Sequence, residues 1–323
     1  MIEYNKANAR IWSLLGSRRA LGVVMAELAN EDERFVLLTA DVGRYYALNR
    51  LIEEHPEKLV NVGIAEQNMI GMATAMAKEG WNPFAVTYAT FVTARVLDQI
   101  RVGLGLMRLP VRLIGVSAGM AEGDMSATHM GLEDVADIRA IPGIIILGPA
   151  DCTETMKALQ AAAKCDGPVY IRLSGSANDP IVFREDYDFQ VGKAIRLREG
   201  SDVAIVATGA PVARSLKAAK LLEEQGVSCT VVDMHTIRPL DEEMLDQLAG
   251  AHKYIVTVEE HSTRGGLGSA VAEYYAPQRK HIPHLILGVD EYMDAAPYDV
   301  LIKRSGLDAE GIFTSALAFT KEM

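Results

Sequence analysis

Leu59-Val60-Asn61-Val62-Gly63-Ile64-Ala65-Glu66-Gln67-Asn68-Met69-Ile70-Gly71-Met72-Ala73 passes from a short apolar run, through a glycine, into a segment whose apolar residues recur at helical spacing. The pattern predicts a strand over 59–62 and a helix over 66–78 that stops at Gly80. Glu66 stands at the junction. Read alone, an acidic residue there is accounted for by the positive end of the helix dipole. The apolar residues on either side allow a second reading, because a carboxyl group in apolar surroundings holds or donates a proton near neutral pH.

Short apolar runs alternate with helical segments on both sides of this junction, the signature of βαβ units and a mostly parallel sheet. Upstream, a helix is expected over 17–29 with Ser17 as its N-cap, then a strand over 35–39 that runs into a loop at 40–44. Downstream come a strand at 84–88, a helix at 91–104 and a strand at 111–116. A long polar loop, 117–131, precedes a helix near 132–140, a strand at 144–147, a helix after Asp151 and a strand at 169–173. Residues 174–200 lack any sustained period and read as a linker. The alternation then restarts, with strands at 203–207, 228–232, 254–258 and 285–289 and helices at 211–225, 241–251 and from about Gly268. The expected fold class is α/β, with two α/β domains over 1–187 and 188–323. In open α/β sheets ligands bind outside the carboxyl ends of the strands, which directs attention to the loops 40–44, 63–67, 88–91 and 117–131.

The chain has 323 residues, 49% hydrophobic and 23% charged, enough for two globular cores. Its net charge of −11 argues against a nucleic-acid backbone as partner. Cys152, Cys165 and Cys229 lie far apart without a CxxC pair, so neither a disulfide framework nor a zinc site is expected. The first ten residues, MIEYNKANAR, lack the apolar centre of a signal peptide, and no run reaches the length of a membrane span. A soluble cytoplasmic protein without a membrane partner is the expectation.

Several motifs in fixed order carry a resemblance to a known family. They are Ala40-Asp41, Asn61-Val62-Gly63-Ile64-Ala65-Glu66-Gln67-Asn68-Met69, Thr90-Phe91 with Arg95 and Asp98-Gln99-Ile100-Arg101, Thr128-His129, and Gly148-Pro149-Ala150-Asp151. Thr236-Ile237-Arg238-Pro239-Leu240-Asp241, Glu259-Glu260-His261 and Gly265-Gly266-Leu267-Gly268 follow. With these, nearly the whole chain resembles the pyrimidine-binding and C-terminal domains of the transketolase family, whose close relative is deoxyxylulose phosphate synthase. The resemblance implies thiamine diphosphate as cofactor and transfer of a two-carbon ketol unit between a ketose and an aldose. It implies that Glu66 promotes ylide formation by stabilising the imino tautomer of the aminopyrimidine. Phe91 and Tyr88 match the aromatic wall on which that ring stacks, Asp41 an aspartate that approaches the cofactor, and Arg95 falls with them as a cofactor-binding residue. His129 matches a catalytic histidine that contacts substrate oxygens.

The family also holds its diphosphate through a divalent metal on a Gly-Asp-Gly and a downstream Asn. No Gly-Asp-Gly occurs here, and Gly123-Asp124-Met125 is the nearest sequence. A diphosphate without its metal and main-chain cradle is poorly neutralised. The resemblance therefore implies that Mg2+ and its ligands lie on a partner, an N-terminal transketolase-type subunit, in a heterotetramer of two chains of each kind. Substrate contacts depart from the family pattern. Ser117 stands where a histidine is common, Tyr45 near a serine, Gly175 where an arginine grips phosphate, and Met125 and Met130 flank the Thr-His pair. Much of a phosphate clamp is missing, so a standard pentose phosphate is not the expected substrate; Arg44, Asp124 and His129 are the candidate substrate contacts. Gly265-Gly266-Leu267-Gly268 reads as a tight turn into a helix, the helix at 157–164 as packing, and His281 with His284 needs no metal. Two other readings stay open: the beta subunit of a 2-oxo acid dehydrogenase, and a non-catalytic regulatory or scaffolding subunit with the same fold.

Overall fold

The computed structural model describes residues 2–176, 180–278 and 282–322. The order is α1 (Lys6–Leu15), α2 (Ser17–Glu31), β1 (Phe35–Thr39), α3 (Asn49–Glu54), β2 (Leu59–Asn61), α4 (Glu66–Lys78), β3 (Asn82–Tyr88), α5 (Ala89–Val92) and α6 (Leu97–Ile100). Next come β4 (Arg112–Ala118), α7 (Asp134–Arg139), β5 (Ile145–Leu147), α8 (Cys152–Ala163) and β6 (Val169–Ser174). The second half holds β7 (Ile195–Arg198), β8 (Val203–Ala207), α9 (Pro211–Glu224), β9 (Cys229–Asp233), β10 (Thr236–Arg238), α10 (Glu242–Ala251) and β11 (Tyr254–Ser262). It ends with α11 (Leu267–Tyr275), β12 (His284–Val289), α12 (Tyr298–Arg304) and α13 (Ala309–Glu322).

Among the described residues the strands form a seven-stranded sheet, β10-β5-β6-β4-β3-β1-β2, and a five-stranded sheet, β12-β11-β8-β9-β7. All neighbours are parallel except β10 against β5 and β7 against β9. The expected two α/β domains with mostly parallel sheets are therefore present. Strand β1 shows why: Phe35 and Leu37 pack with Leu21, Met25 and Met156 on one face, while Val36 and Leu38 pack with Met69, Ile70 and Ile100 on the other. Side chains alternate across a strand, so a strand apolar throughout needs helices on both faces. Strand β8 repeats this, with Val203 and Ile205 in one core and Ala204 and Val206 in another.

The structure corrects four details of the sequence reading. Gly16, not Ser17, is the N-cap of α2; its φ of 78° turns the chain from α1 into α2, and no side chain caps the helix. The helix expected over 91–104 is broken: Thr93 leaves helical geometry (φ −119°, ψ −84°) and its Oγ1 donates to Ala89 O at 2.8 Å, a side-chain bond that competes with the helix. A short 3-10 turn, α6 and a π-turn at Arg101–Leu106 follow. There Gly103 and Gly105 pass so close to Thr74 and Ile141 that a Cβ would lie 2.5 and 2.4 Å from their side chains. The segment read as linker contains β7, and three residues after β9 the chain crosses back so that β10 extends the first sheet. Helices α1, α3, α12 and α13 were not anticipated. No helix among the described residues is long and apolar enough to cross a membrane.

Candidate active site

Because β1, β2, β3 and β4 are parallel, their carboxyl ends lie on one edge of the first sheet. The four loops singled out by the sequence leave from that edge. Three non-glycine residues there adopt left-handed backbone geometry, Asp41 (φ 59°), Ser117 (φ 58°) and Ser126 (φ 64°), a conformation that costs about 1–3 kcal/mol per residue and gathers at functional sites.

Glu66 is the first residue of α4, beside the Ala65 N-cap, and only 5% exposed. Its Oε1 accepts a hydrogen bond from Arg95 Nη1 at 2.7 Å. The break at Thr93 turns Arg95 back over Phe91, placing the guanidinium carbon 3.8 Å from the ring centroid, in cation–π range. Phe91 meets Tyr88 (5.5 Å) and His129 (5.2 Å) edge to face, and Tyr88 meets His129 at 5.1 Å. His129 Nδ1 shares a 3.0 Å hydrogen bond with Thr128 Oγ1. Thus Glu66, Tyr88, Phe91, Arg95 and His129, drawn from three loops, form one contiguous group. Burial and neighbouring Tyr45 push the Tyr88 phenol up to about 12, so it stays neutral at physiological pH.

Asp41 lies on the same edge. Its Oδ1 accepts from Asn61 Nδ2 (3.1 Å), while its own N–H and that of Gly63 donate to Asn61 Oδ1 (3.0 Å each), so Asn61 ties the loop after β1 to the turn before Glu66. Arg44 is exposed and lines a cavity of about 630 Å3 with Arg18, Arg19 and Tyr45. Asp124 is exposed and makes no hydrogen bond or ion pair among the described residues.

The sequence reading missed Glu122, which is buried and is the centre of a second network. It accepts from Ser117 Oγ (2.7 Å) and Tyr45 OH (3.0 Å) and pairs with Arg18, whose guanidinium also covers the Tyr45 ring at 4.5 Å. Tyr45 in turn packs on Tyr88 at 6.0 Å, joining this network to the first. The second domain reaches the same edge: Glu260 Oε1 accepts from Met120 N at 2.8 Å, and a Cβ on Gly119 would lie 2.4 Å from that oxygen. Glu259 instead receives the N–H groups of Leu267 and Gly268 at 2.7 Å each, so the glycine run is a turn into α11. His284 shares a hydrogen bond with Thr257 Oγ1 at 2.9 Å; His281 lies outside the described residues.

A buried acid beside an aromatic wall fits the ring end of an aminopyrimidine cofactor. Among the described residues no group of three or more His, Cys, Asp or Glu side chains could hold a metal ion. The family pattern described as the transketolase pyrimidine binding domain matches residues 15–179, and that described as the transketolase C-terminal domain matches residues 192–312. In this order they define a chain built from the pyrimidine-binding and C-terminal parts of such an enzyme. The chain belongs to the transketolase family. It is 34% identical over 311 residues to a subunit of the apulose-4-phosphate transketolase of Phocaeicola vulgatus, covering 96% of this chain and 99% of that one. It is 36% identical over 299 residues to the 6-deoxy-6-sulfo-D-fructose transketolase subunit SqwH of Clostridium sp., covering 92% of each. A solved structure described as a split-gene transketolase, an inactive β4 tetramer, matches with a TM-score of 0.84 at 36% identity, over 95% of this chain and 97% of that one.

Proposed function

We propose that this chain is the cofactor-activating subunit of a two-component, thiamine-diphosphate-dependent transketolase that moves a two-carbon ketol unit from a ketose to an aldose. The observation that carries this reading is Glu66, a buried acid at a helix N-terminus joined through Arg95 to the wall of Phe91 and Tyr88. When bound, the cofactor supplies the electron sink for cleaving a carbon–carbon bond. Glu66 would hold the aminopyrimidine by a hydrogen bond and favour its imino tautomer. Phe91 and Tyr88 stack the ring and exclude water, Arg95 orients the Glu66 carboxyl through the bond at 2.7 Å, and Asp41 closes the edge toward the cofactor. His129, with one nitrogen set by Thr128, moves protons at substrate oxygens, while Arg44 and Asp124 meet the outer part of the substrate.

The partner in this reading is an N-terminal transketolase-type subunit that carries the diphosphate site and its Mg2+, in a heterotetramer. Relatives named as subunits of transketolases support ketol transfer and the two-component arrangement. The free cysteines Cys152, Cys165 and Cys229 support a reducing compartment, the cytoplasm. A division of the chain near residue 188 is supported by the gap between the two family patterns. The test is Glu66→Ala, with Glu66→Gln beside it, in the complex reconstituted with a Gly-Asp-Gly-bearing partner. Ketol transfer is expected to fall by at least about 10²-fold while assembly on size exclusion is unchanged. Near-normal turnover would end the assignment.

A further inference from the structure

Outside the aromatic group, two carboxyl groups meet where the domains join. Glu154, in the first turn of α8, and Asp233, the last residue of β9, are both 0% exposed. Glu154 Oε1 accepts from Tyr187 OH and its Oε2 from Ala150 N, each at 2.7 Å. With both acids ionised, neither Asp233 oxygen has a hydrogen-bond donor. With one proton between them, Asp233 donates to Glu154 and the pair is satisfied.

The surroundings offer no other remedy. On α8, Asp151 is a third acid, engaged as the helix cap and as acceptor for Val182 N and Phe183 N at 2.7 Å each. Lys157, one turn on, pairs with Asp186 at 2.6 Å. On the strap of residues 180–194 that crosses from one domain to the other, Tyr187 faces the pair; burial first, then the Glu154 charge, raises its phenol strongly, so it remains a neutral donor. Beyond β9, buried His235 is pushed down to about 4 by burial and carries no charge at neutral pH. Burial likewise raises Glu154 above the usual carboxylate range; burial, then the Glu154 charge, raises Asp233 well above it, and Asp151 adds to both.

We propose that Glu154 and Asp233 are a one-proton clamp that fastens α8, the strap and the end of β9 together, and that losing this proton loosens the seam between the two domains. The direction follows from linkage. A carboxyl whose folded pKa lies above its unfolded value, about 4, lends stability that is complete below that value and is lost as pH rises through the folded one. The seam is therefore tightest in acid solution, and its stability falls as pH rises from about 4 until the folded pair has lost its proton.

Asp233→Asn keeps the shape and replaces the shared proton by a permanent amide donor; Glu154→Gln removes the second acid. The full-length chain and both variants are followed from pH 6 to 9 by thermal unfolding and by hydrogen exchange, corrected for intrinsic rate, in peptides covering 148–160, 181–194 and 228–236. The wild-type Tm is expected to fall by about 5 °C more than that of Asp233→Asn over this range, with a loss of protection confined to those peptides. Glu154→Gln should flatten the same slope if Asp233→Asn fails to fold. Equal slopes in wild type and variants, or a wild-type seam whose protection does not change with pH, would overturn the proposal.

Discussion

In the proposed function His129 and Glu66 do different work on one edge and should fail differently when changed. His129 is placed by Thr128 and by edge contacts to Tyr88 and Phe91, so His129→Asn should leave the fold and cofactor binding intact. It should lower kcat for ketol transfer by about 10²-fold, measured under saturating donor. A change confined to KM would reduce His129 to a binding contact. That Glu66, Tyr88, Phe91 and His129 would share one edge was legible because each stands in a short run of fixed order. Glu122 was not: its partners include Arg18, which lies 99 residues from Ser117 in the same network. Nothing local marks a buried carboxylate whose donors come from elsewhere in the chain. Arg44 and Asp124, chosen for their chemistry, are exposed.

Loop 117–131 depends on groups outside itself. Gly119 and Gly131 form an antiparallel bridge at its base. Arg172, from β6, clamps one end by donating to Gly131 O (3.0 Å) and Glu260 O (2.7 Å) while its Nε pairs with Asp134 at 2.8 Å. All of this is buried. Arg172→Met should cost about 3–5 kcal/mol in urea unfolding, since it strands Asp134 beside Tyr170; a loss under 1 kcal/mol would contradict the clamp. Asp151→Ala removes the cap of α8 and leaves the Val182 and Phe183 N–H groups without their acceptor. A loss of about 3 kcal/mol is expected from the same measurement. Strands β1 and β8 were readable at this scale because runs apolar on both faces belong between two helical layers. The π-turn that ends the broken helix was not, because Gly103 and Gly105 there pack on distant Thr74 and Ile141. Strand β10 escaped because three residues carry no period, and their partner, β5, lies in the other domain.

The two sheets are held together by an added strand, by Glu260 reaching the loop after β4, and by the strap over Asp151 and Glu154. The C-terminal domain is thereby part of what shapes the edge where Glu66 lies, although it contributes no residue to the aromatic group. In the proposed function the acid and the wall take one end of the cofactor, and the charged end falls to another polypeptide. The direct measurement is calorimetric titration of thiamine diphosphate with magnesium into the chain alone and into its mixture with a Gly-Asp-Gly-bearing partner. Joining the two half-sites should tighten Kd by at least about 10²-fold, and Glu66→Ala should weaken the mixture's binding. Equal affinity in the chain alone and in the mixture, with turnover by the single chain, would contradict the account.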